Sequence, residues 1–404
     1  MDTSPRRSTL TVTLCFIVAL IEGLDLQSAG IAAAGIRQAF ELDQKMMGWM
    51  FSASIIGLLP GAFFGGWLAD RIGRKRVLIG AVILFGIFSL WTAFVASVNG
   101  LLLARFMTGL GLGAALPNLI ALCAEAVEER RRGTAISIMY CGVPLGGAIA
   151  AVVGMLGGES WQMVFIVGGV APLLTAPLLM VMLPESRDFS AQQSAAPTRV
   201  STGHALFGEG RSVTTLALWV SYFFTLTVMY MLLNWLPSLL LEQGFSKPQA
   251  GTVQMLFNIG GAAGSLLGGV LLDRYNRTAV VVICYGGLLG ALAALGLVSG
   301  LAAMAAAGFA AGLFMLAAQL VLYALAPPAY PTSVRATGVG AAVAVGRLGS
   351  VSGPLAAGQI LAAGAGTTGV LLAASPGLVI AALVVLGMSR RRAVDAPPVS
   401  TTSR

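Results

Sequence analysis

The sequence predicts an all-α polytopic membrane protein, with twelve transmembrane helices in two pseudo-symmetric six-helix bundles. Three observations predict it. Of 404 residues, 57% are hydrophobic and only 10% charged, against roughly 25% charged in an ordinary soluble domain. Uncharged runs at 133–158, 160–184, 212–241 and 248–272 each exceed the ~20 residues a helix needs to cross about 30 Å of hydrocarbon. Finally, the chain repeats itself at an offset of 203 residues. A membrane β-barrel is excluded, because these solid runs lack the roughly ten-residue segments of alternating hydrophobicity that its strands show.

In chain order the spans fall near 10–33, 46–69, 77–97, 100–124, 133–156, 161–183, 213–240, 248–271, 278–298, 301–325, 336–362 and 368–388. Arg6 and Arg7 precede an apolar stretch, as in a signal peptide. That stretch runs past Glu22 and Asp25 without a convincing cleavage site, so it reads as a retained first span. The run from Thr278 to Val334 holds 57 residues without a charge. As one helix it would be about 85 Å long, so it must fold back, and Val298-Ser299-Gly300 is the expected turn. The expected organisation is an N-terminal bundle over 1–183, a cytoplasmic linker over 184–212, a C-terminal bundle over 213–392 and a tail over 393–404. The sole histidine, His204, lies in the linker and reads as solvated. Cys15, Cys123, Cys141 and Cys284 lie in or at the ends of apolar spans with no CxxC pair, as free buried thiols do.

The net charge of +8 is a topology signal. With the N-terminus in the cytoplasm, nineteen of the 24 Lys and Arg residues fall on the cytoplasmic side. Arg37, Lys45 and Lys247 fall outside, and Arg105 and Arg347 inside spans. That asymmetry follows the positive-inside rule, places both termini in the cytoplasm, and makes a nucleic-acid reading unnecessary. The lipid bilayer is the partner the composition demands.

Gly65-Gly66-Trp67-Leu68-Ala69-Asp70-Arg71 matches Gly268-Gly269-Val270-Leu271-Leu272-Asp273-Arg274, and at the same offset Arg132 meets Arg335 and Thr134 meets Thr337. Two six-helix halves are what a carrier needs to rock around a central site. Gly57, Gly61 and Gly65 form a small-residue stripe that lets helix backbones approach. Gly109-Leu110-Gly111-Leu112-Gly113 is no dinucleotide fingerprint, since it lies inside a span with no strand before it.

Of sixteen acids, only Glu22 and Asp25 lie inside an apolar span. A charge there costs about 2.5–3.5 kcal/mol even on the mild insertion scale, so it reads as functional. Three residues apart, the two share a helix face. Burial and mutual repulsion oppose double ionisation, so the pair is expected to load and release a proton. The bland alternative is that one of them only pairs with Arg105. Arg105 and Arg347 are the intramembrane cations, and a guanidinium can grip a carboxylate through two parallel hydrogen bonds. For an aromatic ligand, span seven offers Tyr222, Phe223, Phe224, Tyr230 and Trp235 with the amide of Asn234, and span ten offers Gln319 and Tyr323. Aromatics in spans also serve as lipid-facing anchors. No metal-ligand cluster and no nucleophile–histidine pair is visible, so neither an enzyme nor a cofactor is expected.

Gly66 to Arg76 resembles the signature loop of the major facilitator superfamily. Arg105-Phe106-Met107-Thr108-Gly109, Gly142-Val143-Pro144-Leu145-Gly146 and Pro184-Glu185-Ser186 resemble three more of its motifs. Glu22-Gly23-Leu24-Asp25 looks like the DG(F/Y)D element of the aromatic acid:proton symporters, with Glu in place of the first Asp. That resemblance covers nearly the whole chain. It implies proton-driven uptake of a small aromatic carboxylate across a bacterial inner membrane by a monomeric carrier. It also implies that Arg105 serves proton coupling with Glu22 and Asp25. Arg347 is then left for the substrate carboxylate, with Asn234, Tyr230, Gln319 and Tyr323 around the ring. Asp70, Arg71 and Arg74 in one half, with Asp273, Arg274 and Arg335 in the other, would form loop latches that break as the halves rock.

Overall fold

The computed structural model describes residues 5–185, 206–208, 211–331 and 334–394. His204 and most of the expected linker and tail lie outside these residues. Among the described residues twelve long helices follow one another: α1 (Pro5–Ala39), α2 (Gln44–Ile72), α3 (Arg74–Thr92), α4 (Val98–Glu125), α5 (Arg132–Leu156), α6 (Met163–Met182), α7 (Ser212–Glu242), α8 (Lys247–Arg274), α9 (Arg277–Leu297), α10 (Leu301–Leu325), α11 (Arg335–Ala362) and α12 (Gly366–Val394).

Local chemistry sets the breaks. Asp43 caps α2 by accepting from the Met46 amide at 2.7 Å, and Ser97 caps α4 through the Gly100 amide at 3.1 Å. Asn276 caps α9 through the Thr278 amide. Such caps satisfy amides that a helix start leaves without intrahelical partners. Gly300 takes a φ of +89° between α9 and α10, so the long uncharged run folds back where expected. Span three ends at Thr92, earlier than the hydropathy suggested, because Ser97 starts the next helix.

Among the described residues, eleven of the helices are long and apolar enough to cross a membrane. The twelfth, α8, holds the uncharged run over 248–272 and carries Gln254, Asn258 and Ser265, all buried. Its polar residues face protein, which a spanning helix tolerates when they find partners. Large apolar side chains on the outside, such as Leu174, Val181, Leu372 and Leu383, are exposed, as a lipid-facing surface requires. The four cysteines are free and buried.

The repeat in the sequence is a repeat in packing. α1 packs on α5 and α6, as α7 does on α11 and α12; α2 and α3 pack on α4, as α8 and α9 do on α10; and α3 packs on α6 as α9 does on α12. Between the halves, α2 meets α11, α5 meets α8 and α1 meets α7. A Cβ on Gly57 or Gly61 would overlap the Phe106 or Leu110 carbonyl, and one on Gly260 or Gly264 the Phe309 or Leu313 carbonyl. All four pairs obey the offset of 203, so glycine fixes the same helix crossing twice.

Candidate functional site

α1 carries the two intramembrane acids, and the structure sends them to different places. Asp25, fully buried, turns into the N-terminal half. Its Oδ1 accepts from Arg105 Nη1 at 3.1 Å, and both side chains are inaccessible. Arg105 Nη2 also approaches the Asp25 carbonyl at 3.5 Å, and its guanidinium carbon stands 5.3 Å from the centroid of the Phe165 ring. Asp25 Oδ2 and Arg105 Nε are buried without a hydrogen-bond partner among the described residues. Glu22, by contrast, faces a compartment between the halves, with its Oε2 unpartnered among the described residues. The expected common face is therefore split: one acid is paired and one is presented.

That compartment, about 40 Å³, is the inner end of a cleft. Glu22, Gln27, Tyr140, Tyr230, Gln319 and Arg347 border it. Tyr140, Gln319, Arg347, Leu58, Leu116 and Leu316 also border a larger cavity of about 570 Å³, within the usual range for small-molecule sites. The larger cavity is bordered by the second halves of α2, α4 and α10 and the first halves of α5 and α11. It therefore lies toward the face bearing the 66–76 loop.

Arg347 on α11 is half-buried at the junction. Its Nη1 donates to Tyr230 Oη at 2.6 Å, and the residue lines both compartments. Gln319, although buried, has among the described residues a long contact of 3.4 Å from Nε2 to Tyr323 Oη, and Tyr323 is held edge-on to Tyr222 at 5.8 Å. The rest of the larger wall is mainly apolar. An oblong apolar space with a fixed cation at its inner end suits a flat organic anion.

Two groups of expectations need correction. Asn234 does not border either compartment. Its Nδ2 donates to the Tyr230 carbonyl one turn back at 2.8 Å, because a buried amide can satisfy itself on its own helix. Trp235 is likewise structural, donating to the Pro354 carbonyl at 3.0 Å and meeting Phe51 edge-on. Of the span-seven aromatics named above, Tyr230 alone borders the compartments. Tyr140, Gln27 and Asn258 also line the inner compartment, and charge-based reasoning passed over them.

On the loop face, Arg74 pairs with Glu125. The Lys75 amide donates to Glu185 Oε1 at 2.9 Å and its Nζ to the Met180 carbonyl at 2.8 Å. These partners lie in the N-terminal half or, for Glu185, just past its end; none is in the C-terminal half. Asp70, Arg71, Arg274 and Arg335 are exposed, and Arg71 lies over the Trp67 ring. The Asp273 side chain lies outside the described ones. Among the described residues no group of His, Cys, Asp and Glu could hold a metal ion.

Comparison with known proteins gives a consistent picture. The family model described as Major Facilitator Superfamily matches residues 15–246 and 218–403. The 3-(3-hydroxy-phenyl)propionate transporter of Escherichia coli (strain K12) is 56% identical over 393 residues, 97% of this chain and 96% of that protein. The gallate transporter of Pseudomonas putida is 36% identical, over 96% of this chain and 93% of its own. A bacterial homolog of the human lysosomal transporter Spinster, solved inward-facing and unoccupied, superposes with a TM-score of 0.76. It is 18% identical, and the match covers 98% of this chain and 100% of that one.

Proposed function

The chain belongs to the Major Facilitator Superfamily, and from that premise we propose that this multi-pass membrane protein takes up a small aromatic carboxylate together with protons. 3-(3-Hydroxyphenyl)propionate is the first choice of cargo, supported by the similarity to the Escherichia coli 3-(3-hydroxy-phenyl)propionate transporter. The observation that carries the reading is the cavity itself: mainly apolar walls, with Arg347 and Glu22 at one end and Gln319 and Tyr323 beside them.

In this reading the substrate carboxylate docks on Arg347, whose fork offers two parallel hydrogen bonds. The ring lies between Leu58, Leu116 and Leu316, and Gln319 with Tyr323 reads a ring hydroxyl. Glu22 supplies the coupling. Ionised, it competes for the field of Arg347; protonated, it leaves the guanidinium to the substrate. Asp25 and Arg105 form a second, enclosed acid–base pair that a proton can also perturb. One proton with one monoanion moves no net charge, and each further proton would gain about 2.3 kcal/mol per 100 mV of membrane potential. The lysines and arginines at the loop ends support a cytoplasmic placement for that face and both termini, in a bacterial inner membrane. Loop-face latches at Asp70, Arg71 and Arg74 and at Asp273, Arg274 and Arg335 would re-form when the cavity shuts on that side. One chain holds the whole site, so a monomer suffices.

A benzoate- or hydroxybenzoate-type acid is the second reading, favoured by the gallate transporter among the relatives. A drug exporter would leave Arg347 without an anion. Uptake of labelled 3-(3-hydroxyphenyl)propionate into cells, with and without a protonophore, tests the proposal. Accumulation that collapses on adding the protonophore is expected. Efflux, or uptake indifferent to it, defeats symport.

A further inference from the structure

Three buried amides join the two halves at the inner compartment. Gln27 on α1 donates from Nε2 to Asn258 Oδ1 on α8 at 2.7 Å. Its Oε1 accepts from Gln254 Nε2 at 2.8 Å and from Asn258 Nδ2 at 2.7 Å. Asn258 Nδ2 also reaches the Gln254 carbonyl at 2.9 Å. None of the three residues is more than 2% exposed. Gly147 on α5 supplies the space: a Cβ there would overlap the Gln27 amide and come within 2.7 Å of Asn258 Oδ1. Gln27 and Asn258 border the inner compartment but not the larger cavity, so the clasp lies at the end away from the loop-face mouth. Farther toward the opposite face the halves stay joined. Ser52 Oγ donates to the Val351 carbonyl at 2.9 Å, and Lys247 pairs with Glu159 at 2.9 Å.

We propose that Gln27, Gln254 and Asn258, seated on Gly147, form the innermost layer of the gate that closes the site on the face opposite the loops. The proposal rests on the alternating-access reading, which requires these groups to be dry in one state and wet in the other. An apolar seal would oppose wetting, and a buried ion pair would demand desolvation of full charges in every cycle. Amides exchange partners at small net cost, bonding one another when shut and water when open. The outer Lys247–Glu159 pair, with Glu159 92% exposed, adds little by comparison. The closed face is therefore held at the clasp, and loosening it shifts the resting population toward outward opening.

Ala34 lines a small cleft beyond the clasp, with Trp161 and Pro237, and serves as the reporter. Ala34→Cys is labelled with a membrane-impermeant maleimide from the face opposite the loops, alone and combined with Gly147→Ala or Asn258→Ala. Labelling at least about fivefold faster in the combined variants is the expected result, as the loss of one or more cross-half hydrogen bonds implies. If either substitution prevents insertion, Gln254→Ala replaces it. Unchanged labelling in properly inserted variants overturns the gate. The readout needs neither substrate nor protons, so an error in the cargo leaves it intact. A wild type that accumulates the acid while the variants label no faster sinks the gate alone.

Discussion

Glu22 and Arg347 come from opposite halves yet line one compartment, and Arg347 spends a donor on Tyr230 rather than on the acid. Replacing the acid by its neutral isostere tests what that arrangement does. Glu22→Gln mimics the protonated carboxyl permanently. The variant is expected to keep substrate counterflow while losing accumulation, and its counterflow is expected to be flatter with pH than the wild type, whose docking weakens as pH rises and Glu22 ionises. Counterflow at several pH values, set beside net uptake, checks it; wild-type accumulation in the variant removes Glu22 from coupling. Both acids and both arginines were legible in the sequence because a charge inside an apolar run is costly enough to need a reason. Gln27, Tyr140 and Asn258 were not, because a neutral polar side chain in a span is cheap enough to be unremarked. Asn234 was misread for the opposite cause: its amide closes on its own helix, and composition cannot reveal which carbonyl a buried amide selects.

At the scale of helices, backbone contact rather than side-chain interlocking sets the bundle. A Cβ on Gly109 would overlap the Ser54 carbonyl, and one on Gly312 the Phe257 carbonyl, again at the offset of 203. A carbonyl on a rigid helix cannot rotate away, so even a methyl must push α2 from α4 or α8 from α10. Gly109→Ala and Gly312→Ala are each expected to cost about 1–3 kcal/mol, the usual range for overpacking, and to lower the thermal unfolding midpoint of the detergent-solubilised protein. Gly80→Ala, where nothing lies within 4 Å, is the matched control and is expected to leave it unchanged. Equal midpoints for all three would show that the helices have slack. The helix count was readable because twenty apolar residues have few other uses. The pairing of the α8 amides was not anticipated, since the partner of Gln254 and Asn258 is Gln27 on α1, more than 200 residues away.

For the whole molecule, the repeat foretold the two-fold packing but not which face would be open, because one sequence must encode every state of the cycle. Contacts decide it here. The halves are joined through Gln27, Ser52 and Lys247 on one side, and a cavity of about 570 Å³ lies between them on the other. If basic loops mark the cytoplasm, this is an inward-open form, and sidedness and state can be tested together. Ser137 lines the larger cavity from α5, within two turns of the loop face. Ser137→Cys is expected to react quickly with an impermeant maleimide in inside-out vesicles and slowly in right-side-out cells. Saturating substrate is expected to protect it, since the ring would occupy the same walls. Fast labelling only from the outside would invert the topology. Fast labelling from the inside without protection would keep the topology and move the aromatic acid elsewhere.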